Sequence, residues 1–274
     1  MFRPGVFIDT FLESFRNKMF LFFFLVSSLI VASIGLFLNM DVVNGVMHGV
    51  EFLGNEIRVP AFTVQRWVQT LQAGLAMLVA TVGLFLALMA TSTLFPQMLH
   101  KGSIDLLLCR PIARWRIVTA RFAGGACIMA FNAAYLFLGV WFVLGLKSDI
   151  WTRGFPLSTF LAIFAFVVLF CVVMMVSVIT ESSPAGLLAG YTILMFSPIL
   201  AVHERITPAF SNEHYRQIFR SMYWTLPKSA ETIGAMRRLI LGQQLELGWI
   251  VGTSLAYALV CYIVTIVYFT RKDY

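Results

Sequence analysis

The segment KGSIDLLLCRPIARWRIVTARF, from Lys101 to Phe122, interrupts a sequence that is otherwise apolar. It holds four arginines, one lysine, one carboxylate and a proline, and apolar sequence resumes directly after it. Arginines between two long hydrophobic stretches are typical of a loop that joins two membrane helices on the cytoplasmic side. The fold therefore depends on the apolar stretches that flank this segment.

The composition is that of a membrane protein. Of 274 residues, 59% are hydrophobic and 12% are charged, whereas soluble domains contain about 25% charged residues. The net charge of +7 comes from basic residues beside apolar spans, so topology explains it and we expect no nucleic-acid partner. Four cysteines are present and none is placed to bridge an external loop: Cys109, Cys127, Cys171 and Cys261. No disulfide framework is implied.

The apolar stretches predict six membrane-spanning helices. A helix needs about 20 apolar residues to cross the hydrocarbon core of a bilayer. Six segments reach this length: 19–38, 71–95, 117–146, 156–180, 184–202 and 247–270. The third is long enough to tilt or to extend beyond the bilayer. The predicted fold class is all-α integral membrane, with residues 1–274 forming a single transmembrane domain.

The ends of the chain carry basic residues that predict its orientation. Residues 5–17 have apolar side chains on one helical face, which predicts a helix lying in the membrane interface or a frayed extension of the first span. An even number of spans places both termini on one side, and the basic termini and the basic segment make that side cytoplasmic. The basic external loop 203–246 weakens this bias.

That external loop has a pattern of its own. It predicts two short helices, 213–222 and 230–241, separated by the sequence WTLPK with Pro227 as the breaker. The pair forms either a lid that dips toward the bilayer or an ordinary connector. His203, Glu204, Glu213 and His214 lie in or beside this loop, but their spacing matches no defined metal site. We expect no metal there.

The spans contain little that could perform chemistry. No acidic or basic side chain lies in the middle of a span, whereas ion-driven transporters bind their ions there. Arg121 lies near a cytoplasmic end and is expected to extend to the interface, and Asn132 is expected to bond a neighbouring helix. No phosphate-binding, zinc-protease or serine-hydrolase motif occurs. Energy for any active transport must therefore come from another chain.

The interrupting segment itself predicts a short helix parallel to the membrane. Ser103 can cap it, Asp105 suits its positive N-terminus, and Pro111 ends it. Leu107 and Leu108 give it an apolar face that fits a groove on a partner. The alternative is that the arginines only fix the topology.

At this segment the chain resembles the ABC-2 type permease family, the membrane subunits of ATP-binding cassette exporters. The matching positions are Gly102, Asp105, Leu107, Leu108, Pro111, Ile112 and Arg114, with Ser103 where the family has threonine. Met98 stands where the family often has a glutamate. Less specifically, the six spans, the YWTLPK loop and the closing FTRKDY also resemble the family.

The resemblance implies a function and partners. Residues 102–114 are then the coupling helix on which a separate cytoplasmic ATPase docks, in two copies, with ATP and Mg²⁺ bound by that partner and no cofactor or catalytic residue in this chain. It implies a second permease subunit, identical or paralogous, in a bacterial inner membrane, and export of a hydrophobic or amphipathic substrate. A membrane scaffold and an integral-membrane enzyme acting on lipid are the alternatives.

Two glycines in the fifth span bear on assembly. Gly186 and Gly190 form a G-x-x-x-G pattern, and small residues at this spacing allow helices to approach closely. They line either the interface between two permease subunits or a helix contact within one chain.

Overall fold

The computed structural model describes residues 18–43, 46–52, 55–57, 64–99, 113–203, 213–244 and 247–272. The interfacial helix predicted over 5–17 and the coupling segment from 101 to 112 lie outside the described residues.

Helices form most of the described chain. The elements in chain order are α1 (Lys18–Phe37), β1 (Leu38–Val43), β2 (Val46–Phe52), β3 (Asn55–Ile57), α2 (Val64–Thr91), α3 (Leu94–Leu99), α4 (Arg114–Ser148), α5 (Gly154–Thr180), α6 (Ser183–Ala201), α7 (Glu213–Thr225), α8 (Ser229–Ile240) and α9 (Leu247–Arg271).

Five stretches of the described residues are helical, long and apolar enough to cross a membrane: Arg66–Pro96, which combines α2 and α3, and helices α4, α5, α6 and α9. Each coincides with a predicted span. In α1 the described apolar part is the shorter stretch Phe20–Leu36. Helix α4 has 35 residues, which gives about 52 Å at 1.5 Å per residue, well beyond the roughly 30 Å hydrocarbon core.

The second predicted span, 71–95, is not one continuous helix. Residues 92 and 93 form a turn between α2 and α3. Pro96 explains the break, because a proline ring excludes the carbonyl four residues earlier, here that of Ser92. The hydroxyls of Thr91 and Ser92 also bond backward to the carbonyls of Ala87 and Met89, at 2.8 and 2.9 Å.

A small antiparallel sheet lies between α1 and α2 in the chain. The all-α prediction from the sequence was wrong on this point. Its strand order is β1-β2-β3. Leu38 pairs with Phe52 and Val43 with Val46, with a register shift at Asp41/Val42. The helical class holds for the membrane-spanning part, and the sheet lies outside it.

Helix α5 is the centre of the bundle. It is apolar on every face, and 67% of its most apolar window is buried, against 28% for α6 and for α9. Helices α2, α3, α4, α6, α8 and α9 all pack against it. A helix that is apolar all round suits either a protein core or a membrane span, and α5 combines the two.

Specific contacts show how the helices run. Ser27 of α1 bonds to Asn132 of α4. Eight residues later in α1, Gly35 lies beside Val143, which is also later in α4. The two helices therefore run parallel. Arg114 at the start of α4 contacts the end of α9, so those two are antiparallel. We call the end with Arg114 the Arg114 end and the opposite one, where α9 begins, the Trp249 end.

The two predicted short helices are present at the Trp249 end as α7 and α8, and they occupy different environments. Helix α8 packs against α2, α5 and α6, and six of its side chains are buried. Its end lies on the start of α5, where a Cβ added to Gly154 would be 2.5 Å from the Leu239 carbonyl oxygen. Helix α7 has no buried residue.

Gly186 and Gly190 lie between α6 and α5. A Cβ on Gly186 would lie 2.8 Å from the Val173 carbonyl oxygen, and one on Gly190 would lie 2.7 Å from Cγ2 of Val173. Without hydrophobic drive between helices in lipid, such close backbone packing holds them together. Both glycines therefore contact α5 within this chain, and a role at a subunit interface stays a prediction.

We expect Gly186→Ala to destabilise the protein by about 1–3 kcal/mol, because the methyl group overpacks a contact that includes backbone. Gly83→Ala is the matched control, since a Cβ at Gly83 meets nothing within 4 Å. Thermal unfolding in detergent would measure both. Equal melting temperatures for the two variants would contradict the packing described for Gly186.

Candidate functional site

Most of the predicted coupling residues lie outside the part of the chain that the structure describes. They are Gly102, Ser103, Asp105, Leu107, Leu108 and Pro111. Arg114 is described, and so are both helices that flank the segment, α3 before it and α4 after it. The site can therefore be examined at the points where the segment joins the bundle.

Arg114 binds the end of the last helix. Its Nη1 donates a hydrogen bond to the Lys272 carbonyl at 2.7 Å and approaches the Thr270 carbonyl at 3.5 Å. The last carbonyls of a helix have no partner within it, and they carry partial negative charge that favours a cation. A guanidinium placed there donates hydrogen bonds to these carbonyls and balances their partial negative charge. The start of α4 is thus fastened to the end of α9.

The side chain of Lys272 extends this contact to a third place. Its ammonium forms a salt bridge with Glu181, which lies in the turn between α5 and α6 with a left-handed backbone, φ 54°. It also lies 5.3 Å from the ring centre of Tyr268, whose hydroxyl is 3.4 Å from the Ile179 carbonyl. We call Arg114, Glu181, Tyr268 and Lys272 the helix-end junction.

Arg121 joins the helix before the segment to the helix after it. Its Nη1 lies 3.4 Å from the Leu94 carbonyl, at the start of α3, and the side chain is only 7% exposed. It is therefore covered by the bundle, whereas the sequence predicted that it would extend to the membrane interface. The reason is the turn at residues 92 and 93, which places the Leu94 carbonyl within its reach.

The middle of the bundle holds a polar contact that was predicted. Ser27 donates to the side-chain oxygen of Asn132 at 3.0 Å, and both residues are fully buried. This confirms that Asn132 bonds a neighbouring helix. Among the described residues, no group of three or more histidine, cysteine, aspartate or glutamate side chains could hold a metal.

A second cluster, which we call the lysine cage, lies at the Trp249 end. Lys228 is 4% exposed, and its ammonium lies 4.2 Å from the ring centre of Tyr223 and 4.8 Å from that of Trp249. It donates to the Tyr223 hydroxyl at 3.0 Å, and its backbone N–H donates to Ser254 at 3.2 Å. Burial lowers the pKa of Lys228, and nearby Glu231 partly offsets this. The cage ties α7 and α8 to α9.

His203 belongs to the edge of this cluster. Its ring stacks on Tyr223 with centres 3.7 Å apart, and its Nδ1 lies 3.2 Å from the Leu200 carbonyl. Glu204 lies outside the described residues. Glu213 and His214 are exposed at the start of α7.

The comparisons with known proteins decide the family. The model for the ABC-2 family transporter protein matches residues 8–274, nearly the whole chain. The chain belongs to the ABC-2 transporter family. No curated protein matches it.

Membership in the ABC-2 family makes the chain a membrane subunit of a transporter, and this family generally works with a cytoplasmic ATPase and is often dimeric. The family that the resemblance at residues 102–114 indicated is thereby confirmed. The role of each coupling residue stays a prediction. Gly186 and Gly190, the other predicted site residues, lie against α5.

Three residues of the ABC-2 permease's helix-end junction were missed from the sequence: Glu181, Tyr268 and Lys272. Lys272 contributed only to the basic C-terminus that predicts the topology, and neither Glu181 nor Tyr268 stood out in the sequence. Helix ends that carry one acidic and one basic residue on the same predicted side would have indicated a pairing. Nothing in the sequence pairs Arg114 with carbonyls 156 and 158 residues away.

Arg114→Ala should lower the unfolding free energy by about 0.5–1.5 kcal/mol, because it leaves the carbonyls of Thr270 and Lys272 without a cationic donor. Arg116→Ala is the control, since Arg116 is exposed and lies two residues further along the same helix, on a different face. Thermal unfolding in detergent, followed by size-exclusion chromatography, measures both. A loss as large for Arg116→Ala would mean that charge at this end matters and the contact does not.

Lys228→Met should destabilise the protein by about 1–3 kcal/mol, since it removes the cation from two aromatic faces and a hydrogen bond from Tyr223. Arg237→Met on the exposed side of α8 serves as the control. The same unfolding assay applies. If Lys228→Met were neutral or stabilising, the free energy cost of burying the ammonium would equal or exceed the stabilisation from its contacts with Tyr223 and Trp249.

Proposed function

We propose that this ABC-2 family permease is driven by a separate cytoplasmic ATPase that docks on residues 102–114. The observation that carries the proposal is the bond from Arg114 to the end of α9, which links the last residue of the predicted docking segment to the bundle. A docked partner that moves this segment would move more than one helix.

The contacts at the Arg114 end suggest how the movement spreads. Arg121 binds the start of α3 and Arg114 binds the end of α9, so the helices on both sides of the segment are fastened. Lys272 passes the connection to Glu181 and so to the turn between α5 and α6. ATP binding by the partner would shift the population between two arrangements of the bundle, with no chemistry in this chain.

We propose that α1 is the sixth span. It has 20 residues, which gives about 30 Å of helix, the thickness of the hydrocarbon core. It runs parallel to α4 and packs closely on it, since a Cβ added to Gly139 would lie 3.0 Å from Cγ2 of Val31. Six spans place both termini with the basic Arg114 end, which we assign to the cytoplasm of a bacterial inner-membrane protein.

We propose that the substrate is hydrophobic or amphipathic, that it is exported, and that it moves between two permease subunits. The cavity between α1, α2, α4 and α5 has a volume of about 30 Å³, enough for one water molecule. Its lining is apolar, with Phe23, Leu84, Met129 and Phe166 among its residues. A substrate does not fit in this cavity, and a path formed with a second copy or a paralogue would not need it.

The proposal is tested by purifying the tagged protein from its native membrane in mild detergent. We expect an ABC ATPase to copurify and to hydrolyse ATP in the presence of Mg²⁺, with inhibition by vanadate. Leu107→Asp should abolish copurification, because it places a charge on the apolar face of the docking helix. Arg114→Glu should reduce it.

The controls separate docking from folding. Arg116→Glu changes a charge on the same side but outside the family motif, and it should copurify the ATPase normally. Membrane insertion and the melting temperature of Leu107→Asp should match those of the unchanged protein. An intact protein that purifies alone in several detergents would contradict the ATPase-driven function and favour a scaffold.

A further inference from the structure

The apolar face of α7 is exposed at the Trp249 end. At 100° per residue, Tyr215, Ile218, Phe219, Met222 and Tyr223 share one side of this helix. Tyr215, Ile218 and Met222 are 60%, 57% and 42% exposed. Helix α7 contacts the bundle through α6, yet this contact leaves most of the apolar face uncovered.

The position of α7 corresponds to the surface of a membrane. Trp224 at its end meets Trp249 edge to face, with ring centres 4.9 Å apart, and Trp249 is in the first turn of the membrane helix α9. Tryptophan is enriched at the level of lipid headgroups. Helix α6, which α7 contacts, carries exposed apolar residues near its end, Ile199 at 47% and Val202 at 42%. The uncovered face of α7 therefore lies at an end of the bundle where other apolar side chains are also exposed.

The charges of α7 fit the same environment. Arg216 and Arg220 are one turn apart and border the apolar face on one side, while Gln217 and Ser221 lie opposite that face. Guanidinium groups pair well with phosphate oxygens. An amphipathic helix with basic residues beside its apolar face is typical of helices that lie in the membrane interface.

We propose that α7 lies flat in the lipid interface at the Trp249 end, with Tyr215, Ile218 and Met222 among the upper acyl chains and Arg216 and Arg220 at the phosphates. The proposal needs only that the chain spans a membrane, and it does not rest on an ATPase partner. Since the lysine cage connects Tyr223 to α8 and α9, this helix would hold the outer end of α8 at the bilayer surface.

A second copy of the chain fits the face less well. A stable protein interface buries roughly 800 Å² on each partner, whereas one exposed face with a single aromatic and two aliphatic side chains offers on the order of a few hundred Å². Lipid imposes no such minimum, because the whole bundle already lies in the bilayer.

The test places a fluorescent probe on either face of α7 in the full chain, reconstituted in vesicles of phosphatidylcholine and phosphatidylglycerol. Cys109 and Cys127 are first replaced by serine, while Cys171 and Cys261 are buried. Ile218→Cys and Met222→Cys carry bimane on the apolar face, and Gln217→Cys and Ser221→Cys carry it on the polar face as matched controls. Each label is then quenched by lipids that bear a doxyl group and, separately, by iodide in the water.

We expect doxyl lipids to quench the labels at 218 and 222 at least about twofold more than those at 217 and 221, with iodide giving the reverse order. Iodide quenching at 218 and 222 equal to that at 217 and 221 would show α7 standing in water and overturn the proposal. Protection of 218 and 222 from both quenchers, with disulfide formation between copies of Ile218→Cys, would overturn it in favour of a subunit contact. If Ile218→Cys fails to fold, Tyr215→Cys on the same face replaces it.

Discussion

The close packing of six helices against α5 is the constraint on which the rest of the bundle depends. Lipid tails are as apolar as leucine, so burial alone gives no preference for helix over lipid. What remains is dispersion between closely fitted surfaces, which falls off within fractions of an ångström. The glycines at the contacts with α5 allow this closeness. Gly186 and Gly190 admit α6, and Gly125 admits α4 against the ring of Phe170.

The two ends of the bundle are held differently from its middle. At the Arg114 end, a guanidinium and an ammonium bind carbonyls and a carboxylate at the ends of three helices. At the Trp249 end, a buried ammonium lies between aromatic faces. The apolar packing in the middle is dense and depends little on the orientation of the groups. The ends are held by a few hydrogen bonds and ionic contacts, which require specific orientations. A conformational change that leaves α5 covered can therefore be controlled from the ends.

The sequence was sufficient for features that depend on local composition. The spans follow from the length of apolar runs, and α7 and α8 follow from their periodicity and from Pro227. Asn132 was assigned correctly because an amide in an apolar helix must find a partner nearby. The ABC-2 motif gave the family, which the match over residues 8–274 confirms.

Other features depend on contacts that no local pattern contains. The three-stranded sheet follows from pairing between segments that are weakly apolar. The turn at residues 92 and 93 is different, because Pro96 acts on Ser92 only four residues away and the sequence could have indicated it. The depth of α8 depends on the space that Gly154 leaves at the start of α5. The burial of Arg121 depends on a carbonyl of Leu94, which is 27 residues earlier in the chain.

The bond between Arg114 and Lys272 has a consequence for biosynthesis. Its partners are 158 residues apart, and α9 follows all the other described helices in the chain. The start of α4 is therefore synthesised long before the helix end that Arg114 binds. Until α9 has been inserted, Arg114 lacks this contact, so the Arg114 end of the bundle takes its described arrangement only after α9 is in place.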